Sequence, residues 1–195
     1  MNFKEFKTKY EKVPTVHYPN NIQNEPHVSI CVQTFQHELY IEKCLDSLLN
    51  QKTNFDYEIL IGEDCSDDST REICIDYANR FPEKIRLFLH NRENNIKINE
   101  LHTGRFNVLY NLYSSKGKYI AFCEGDDFWL DEFKLEKQLK IISGQNTVVL
   151  SNYYYLHNQK FIDSDLGLGN NKNILKIDLN KLATENYHFS HTSSY

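Results

Sequence analysis

From Val28 onward the chain alternates two patterns, and that alternation restricts its fold more than any other feature. "VSICV" is a short β-branched apolar run, which suits a strand buried on both faces. In "YIEKCLDSLLNQ", Ile41, Cys44, Leu45, Leu48 and Leu49 recur at i, i+3, i+4, i+7 and i+8, one face of a helix. "YEILIGED" reads as a second strand and "STREICIDYANRF" as a second helix, with Ser69 and Glu72 spaced as a capping box and Pro82 as the stop. "IRLFLH" is a third strand, and Phe106, Leu109, Tyr110 and Tyr113 mark a third helix. "KYIAFC" and "DEFKLEKQLKII" give a fourth strand and a fourth helix, which Asp131 is placed to cap. Such alternation implies crossover connections and a mostly parallel sheet flanked by helices, an α/β fold.

Either side of this block the pattern changes. Residues 1–27 form an N-terminal extension in which Phe3, Phe6 and Tyr10 share one side of a short helix, while Pro14, Pro19 and Pro26 break regular structure. A loosely packed lead-in is the expectation there. Residues 28–143 hold the α/β domain. In residues 144–195, "TVVLSNYYYLHN" and "KFID" read as strands, a hairpin being one arrangement, and the stretch ends without a closing helix.

Composition excludes several classes. The net charge is −5 and no Lys/Arg stripe is visible, so no nucleic-acid partner is expected. Five cysteines, odd in number and without a CxxC, read as reduced and buried thiols of a cytoplasmic protein rather than a zinc site. The opening "MNFKEFKTKYEK" has no apolar stretch of a secretory signal, and no run approaches the ~20 apolar residues of a membrane span. Peripheral contact with the inner face of a membrane stays open. The spacings GxxxxGK[ST], GxGxxG, GxSxG and HExxH are all missing.

A parallel sheet binds ligands beyond the carboxyl ends of its strands. Three such ends carry polar groups here: Thr34, Phe35 and Glu38 after the first strand, Glu63, Asp64 and Asp68 after the second, and Glu124, Asp126 and Asp127 after the fourth. Asp68 is also explained by helix capping, and Trp129 by packing at the edge of the site. Carboxylates gathered this closely repel one another unless a cation sits among them. Hard divalent ions such as Mn²⁺ or Mg²⁺ take one or two carboxylates together with phosphate oxygens, which suits departure of a diphosphate. Gly125 lets the backbone come close to a ligand.

"VSICVQTFQ", "YEILIGEDCSDDST", "KGKYIAFCEGDDFW" and "KLEKQ", in this order, resemble the family 2 glycosyltransferases, in particular bacterial enzymes that build surface polysaccharide. The resemblance covers residues 28–143 and implies a GT-A-like, Rossmann-like fold that binds a nucleotide-sugar donor. It implies that Thr34 and Phe35 line base and ribose with Glu38 nearby, and that Asp64 contacts the base, typically the uracil of a UDP-sugar. Arg105 either reaches the diphosphate or is a surface arginine. Glu124 and Asp126 occupy the acid positions of a DxD-type motif, Asp126 holding the metal and Glu124 touching ribose or metal. Glutamate as first acid and Cys65 at a position usually glycine depart from the family pattern.

The implied activity is metal-dependent, inverting transfer of a sugar to a glycan or lipid-linked acceptor in cell-envelope polysaccharide synthesis. The family's general base lies in an acceptor region expected beyond residue 195. Glu185 is the late alternative, with a surface role expected for it, and His191 faces acceptor, metal or neither. Two rivals remain: a nucleotide-sugar-binding module without transfer activity, and a nucleotidyltransferase, which would need a glycine-rich basic loop that "QTFQHELY" lacks.

Overall fold

The computed structural model describes residues 1–23, 25–142, 149, 154–157 and 160–163. They fall into two units, Met1–Leu139 and Lys140–Tyr195. In the first, β2 (Val28–Thr34), β3 (Tyr57–Glu63), β4 (Ile85–Leu89) and β7 (Tyr119–Glu124) run parallel, in the order β4-β3-β2-β7. A two-residue strand, β1 (Val16–His17), adds antiparallel to the outer edge of β4. The helices are α1 (Phe3–Tyr10), α2 (Ile41–Leu49), α3 (Thr70–Arg80), α4 (Arg105–Ser114) and α5 (Lys134–Ile141). Between β4 and α4 lies a small hairpin, β5 (Lys97–Ile98) and β6 (Leu101–His102), whose turn residues Asn99 and Glu100 both have positive φ, the backbone that a two-residue loop between twisted strands requires. In the second unit, β8 (Tyr154–His157) and β9 (Lys160–Asp163) pair as an antiparallel hairpin. The strand expected at "TVVL" lies outside the described residues apart from Val149.

Alternation along the strands sorts two cores onto two faces. Val28, Ile30, Val32, Ile59, Ile61, Ile85 and Leu87 meet Ile41, Cys44, Leu45 and Leu48 of α2 and Cys74, Tyr77 and Ala78 of α3. Trp129 and Leu135 join this core, so Trp129 is a packing residue as expected. The opposite face holds Leu60 and Phe88 of the sheet against Phe106 and Tyr110 of α4. Phe6 of α1 is 0% exposed within that second cluster. The expected loose lead-in is therefore corrected: α1 closes an aromatic core that α4 alone leaves open, and an Asn2–Glu5 capping box fixes its start.

Polar contacts set how closely α4 approaches the sheet. Asn111 Nδ2 donates to the Val32 carbonyl at 2.9 Å, and Asn107 Nδ2 to the Gly62 carbonyl at 2.6 Å. A Cβ at Gly62 would lie 1.7 Å from Asn107 Oδ1, so a larger residue there would displace the Asn107 side chain from its bond to the sheet.

The capping box expected at Ser69 does not form. Ser69 makes no side-chain cap bond; Asp68 Oδ1 accepts from Thr70 N at 3.0 Å instead. Asp131 behaves as expected, accepting from Phe133 N at 3.0 Å ahead of α5.

Candidate functional site

Strand order reverses direction between β2 and β7, because successive crossovers run outward from β2 through β3 to β4 and the chain then returns to β7. Loops at such a switch point diverge and leave a crevice at the carboxyl ends. A cleft of about 330 Å³ opens there, lined by Gln33, Thr34, Phe35, His37, Asp64, Gly104, Arg105, Asn107, Val108 and Glu124. Five of the residues expected from the sequence (Thr34, Phe35, Asp64, Arg105 and Glu124) thus come together from four separate segments.

Asp64 follows β3 directly and is 3% exposed. Its Oδ2 accepts from Arg92 Nη1 at 2.6 Å and from Asn95 Nδ2 at 2.8 Å, while Oδ1 is buried with no hydrogen-bond partner among the described residues. Burial raises its carboxyl above the ordinary aspartate range, and the bonds from Asn95 and Arg92 oppose that rise. The Arg92 guanidinium also lies 3.9 Å from the centre of the Phe35 ring. One arginine therefore positions both the aromatic face and the carboxylate.

Glu124 ends β7, and Gly125 N donates to the Gln33 carbonyl at 2.9 Å, continuing the ladder into the acidic turn. The close approach that Gly125 permits is to the β2 loop: a Cβ there would sit 2.6 Å from Thr34 Oγ1 and 2.8 Å from His37 Nδ1. His37 ties the two loops, with Nδ1 3.2 Å from Thr34 Oγ1 and Nε2 3.9 Å from Asp126 Oδ2. Burial lowers its pKa, and the charges of Asp126 and Asp68 pull the other way. The Asp127 carboxyl is pushed up to about 7 by burial, then by the neighbouring charges of Asp126 and Glu124, with Lys134 opposing.

Glu38 stands apart from the cleft lining. Its Oε2 accepts from Ser69 N at 3.0 Å and its own N–H donates to Asp68 Oδ2 at 3.2 Å, pinning the β2–α2 loop to the β3–α3 loop. Glu185 and His191 lie outside the described residues.

Sequence reasoning passes over Gln33, His37, Arg92 and Asn95. For Arg92 and Asn95 a signal existed: "HNRENN" follows the third strand and so reaches the same rim.

Among the described residues no group of three or more His, Cys, Asp or Glu converges as a closed metal site. Glu124 and Asp126, whose charges add to burial in raising Asp127, are of the oxygen-ligand type that Mn²⁺ or Mg²⁺ takes together with phosphate oxygens.

A profile of the family described as Glycosyl transferase family 2 matches residues 29–194. An uncharacterised protein of Mycobacterium tuberculosis is 38% identical over 115 residues, 59% of this chain and 31% of its own length. TuaG of Bacillus subtilis, named for a glycosyltransferase of teichuronic acid biosynthesis, is 30% identical over 118 residues, 60% of this chain and 42% of its own. The mannosyltransferase PcManGT from Pyrobaculum calidifontis, in complex with GDP-Man and Mn²⁺, superposes with a TM-score of 0.53 at 17% identity, covering 78% of this chain and 42% of that one. The likeness shows the GT-A-type fold expected from the sequence. The matched region spans less than half the length of each of these proteins.

Proposed function

The chain belongs to glycosyl transferase family 2, and from that premise we propose that its switch-point cleft binds a nucleotide-diphosphate sugar as donor for cell-envelope polysaccharide synthesis. The observation that carries this reading is Asp64 Oδ1, a buried acceptor without a partner on a cleft that also holds an aromatic ring and Arg105. An unmade hydrogen bond at a buried carboxylate costs on the order of 1–3 kcal/mol, which a ligand N–H would recover. UDP-sugar is the favoured donor, with the base against Phe35 and Asp64.

Arg105, on the cleft lining, would draw the diphosphate in, and Asp126 with Glu124 would hold Mn²⁺ or Mg²⁺ beside it. Such an ion supplies neutralisation of the charge that develops on the departing diphosphate oxygen. Thr34, His37 and Gly125 keep the two loops in register, so that base and diphosphate are held at a fixed separation. An acceptor hydroxyl, on a glycan or a lipid-linked glycan, attacks the anomeric carbon in a single displacement, its proton passing to a general base and the configuration inverting. No helix among the described residues is long and apolar enough to cross a membrane, and the cytoplasmic face of the membrane suits a soluble donor meeting a lipid-linked acceptor.

Asp126→Asn separates donor binding from folding. In calorimetric titration, Mn²⁺-dependent UDP binding should be lost while the thermal midpoint stays within a few degrees. Unchanged nucleotide affinity would remove Asp126 from the metal site. Binding without transfer or hydrolysis, in a chain incubated with UDP-sugars and Mn²⁺, would identify a donor-binding module instead of a complete transferase.

A further inference from the structure

Asp64 Oδ1 has a counterpart of opposite sense in the same cleft. Gln33 Nε2 is also buried and also lacks a hydrogen-bond partner among the described residues. Gln33 is the penultimate residue of β2, in register with Gly62 on β3 and Glu124 on β7. Gly62 contributes no side chain, and the Asn107 side chain lies against it from α4. Asn107 Oδ1 is unpartnered too, but its closeness to the Gly62 α-carbon directs it at the sheet. One buried donor and one buried acceptor therefore lack partners on residues that line the same cleft as the Phe35 ring. Arg92 and Asn95 donate to the other Asp64 oxygen, which keeps Oδ1 in the accepting role.

Resting on the donor-site reading above, we propose that this cleft selects the nucleoside diphosphate by the lactam edge of its base, Gln33 Nε2 donating to a ring carbonyl while Asp64 Oδ1 accepts from the adjacent ring N–H. Uracil and thymine present N3–H beside a carbonyl, and guanine presents N1–H beside O6. Cytosine and adenine present a bare ring nitrogen beside an amino group. Against them Asp64 Oδ1 would face an acceptor and stay unsatisfied, and Gln33 Nε2 would also meet a donor wherever the contacted group is the amino group rather than cytosine O2. A site built to hydrogen-bond a group discriminates strongly against analogues that cannot return the bond. Gln33 is thus a specificity-determining residue, and the rule excludes CDP- and ADP-linked sugars while admitting UDP, dTDP and GDP.

The test is calorimetric titration of the 195-residue chain with UDP, GDP, CDP and ADP in Mn²⁺, for the wild type and for Gln33→Met, which keeps length without the donor. The wild type should bind UDP or GDP at least about tenfold tighter than CDP and ADP, the size of one net hydrogen bond. Gln33→Met should lower affinity for the preferred nucleotide about tenfold and leave CDP and ADP within about twofold, so that the ratio collapses. A role in folding alone would weaken all four equally. Should Gln33→Met fail to fold, 2-thio-UDP and 4-thio-UDP probe the same contact on the wild type: one of them, with sulfur as the poorer acceptor, should bind several-fold more weakly than UDP. An unchanged ratio in the variant, CDP bound as tightly as UDP, or both thio analogues bound like UDP overturns the lactam rule alone. A wild type that binds none of the four overturns the donor site and this inference together.

Discussion

Arg92 is shared between two partners that a nucleotide site needs in fixed relation, the Phe35 ring and the Asp64 carboxylate. Cys65, the residue after Asp64, carries a φ of 63°, a left-handed backbone that favours glycine by about 1 kcal/mol or more. The family resemblance places glycine at this position. Cys65→Gly should therefore stabilise the fold by roughly 0.5 kcal/mol after the entropic cost of glycine, seen as a small rise in the urea midpoint; a fall would mean that the thiol packs usefully. At this scale the sequence was legible where a residue ends a buried strand. Thr34 and Glu124 end strands, Phe35 and Asp64 follow one directly, and all four line the cleft. His37 and Arg92 sit in loops, where no periodicity reports which way a side chain points. Glu38 was legible as a polar residue on the right rim, but its hydrogen bonds turn it toward Asp68 and Ser69.

Among the elements, β2 and β3 declare themselves because strands covered on both faces must be apolar throughout, whereas β7 is apolar although Ile120 and Phe122 on one of its faces are exposed. The start of α3 illustrates the opposite case. Ser69 and Glu72 have the spacing of a capping box, yet Asp68 lies one residue earlier and binds both Thr70 N and Glu38 N. A carboxylate that reaches two backbone donors outcompetes a hydroxyl that reaches one. Asp68→Ala should cost about 1 kcal/mol in chemical denaturation, whereas Ser69→Ala should change stability by a few tenths; equal losses would restore the box. The docking of α1 was hidden for another reason. Phe3, Phe6 and Tyr10 announce an apolar face, but nothing local says that α4 supplies Phe106 and Tyr110 to receive it.

For the molecule as a whole, that aromatic layer encloses titratable groups. His90, buried between Phe106 and Tyr110, has its pKa lowered to about 3, chiefly by burial and then by the charges of His17 and Arg71. His17 is lowered as well, first by burial. An unfolded imidazole takes its proton near pH 6.5, while folded His90 refuses it until about pH 3. Across that window the unfolded chain binds more protons, so stability rises with pH and is lost as pH falls from about 6.5 toward 3. Thermal midpoints should drop over this range, and His90→Asn should flatten the slope; an equally steep fall in the variant would assign the effect to the carboxylates.

Two residues, Val16 and His17, zip onto Leu89 and Phe88 and so occupy the outer rim of β4. That pairing occupies the Phe88–Leu89 end of the strand, and lateral accretion is steered away from it. Clipping off residues 1–18 would bare both that border and the aromatic core beneath α1, and sedimentation should then reveal dimers or larger aggregates at concentrations where the intact polypeptide stays dispersed. A dipeptide bridge thereby acts as the molecule's selvedge, keeping the woven fabric from fraying into its neighbours.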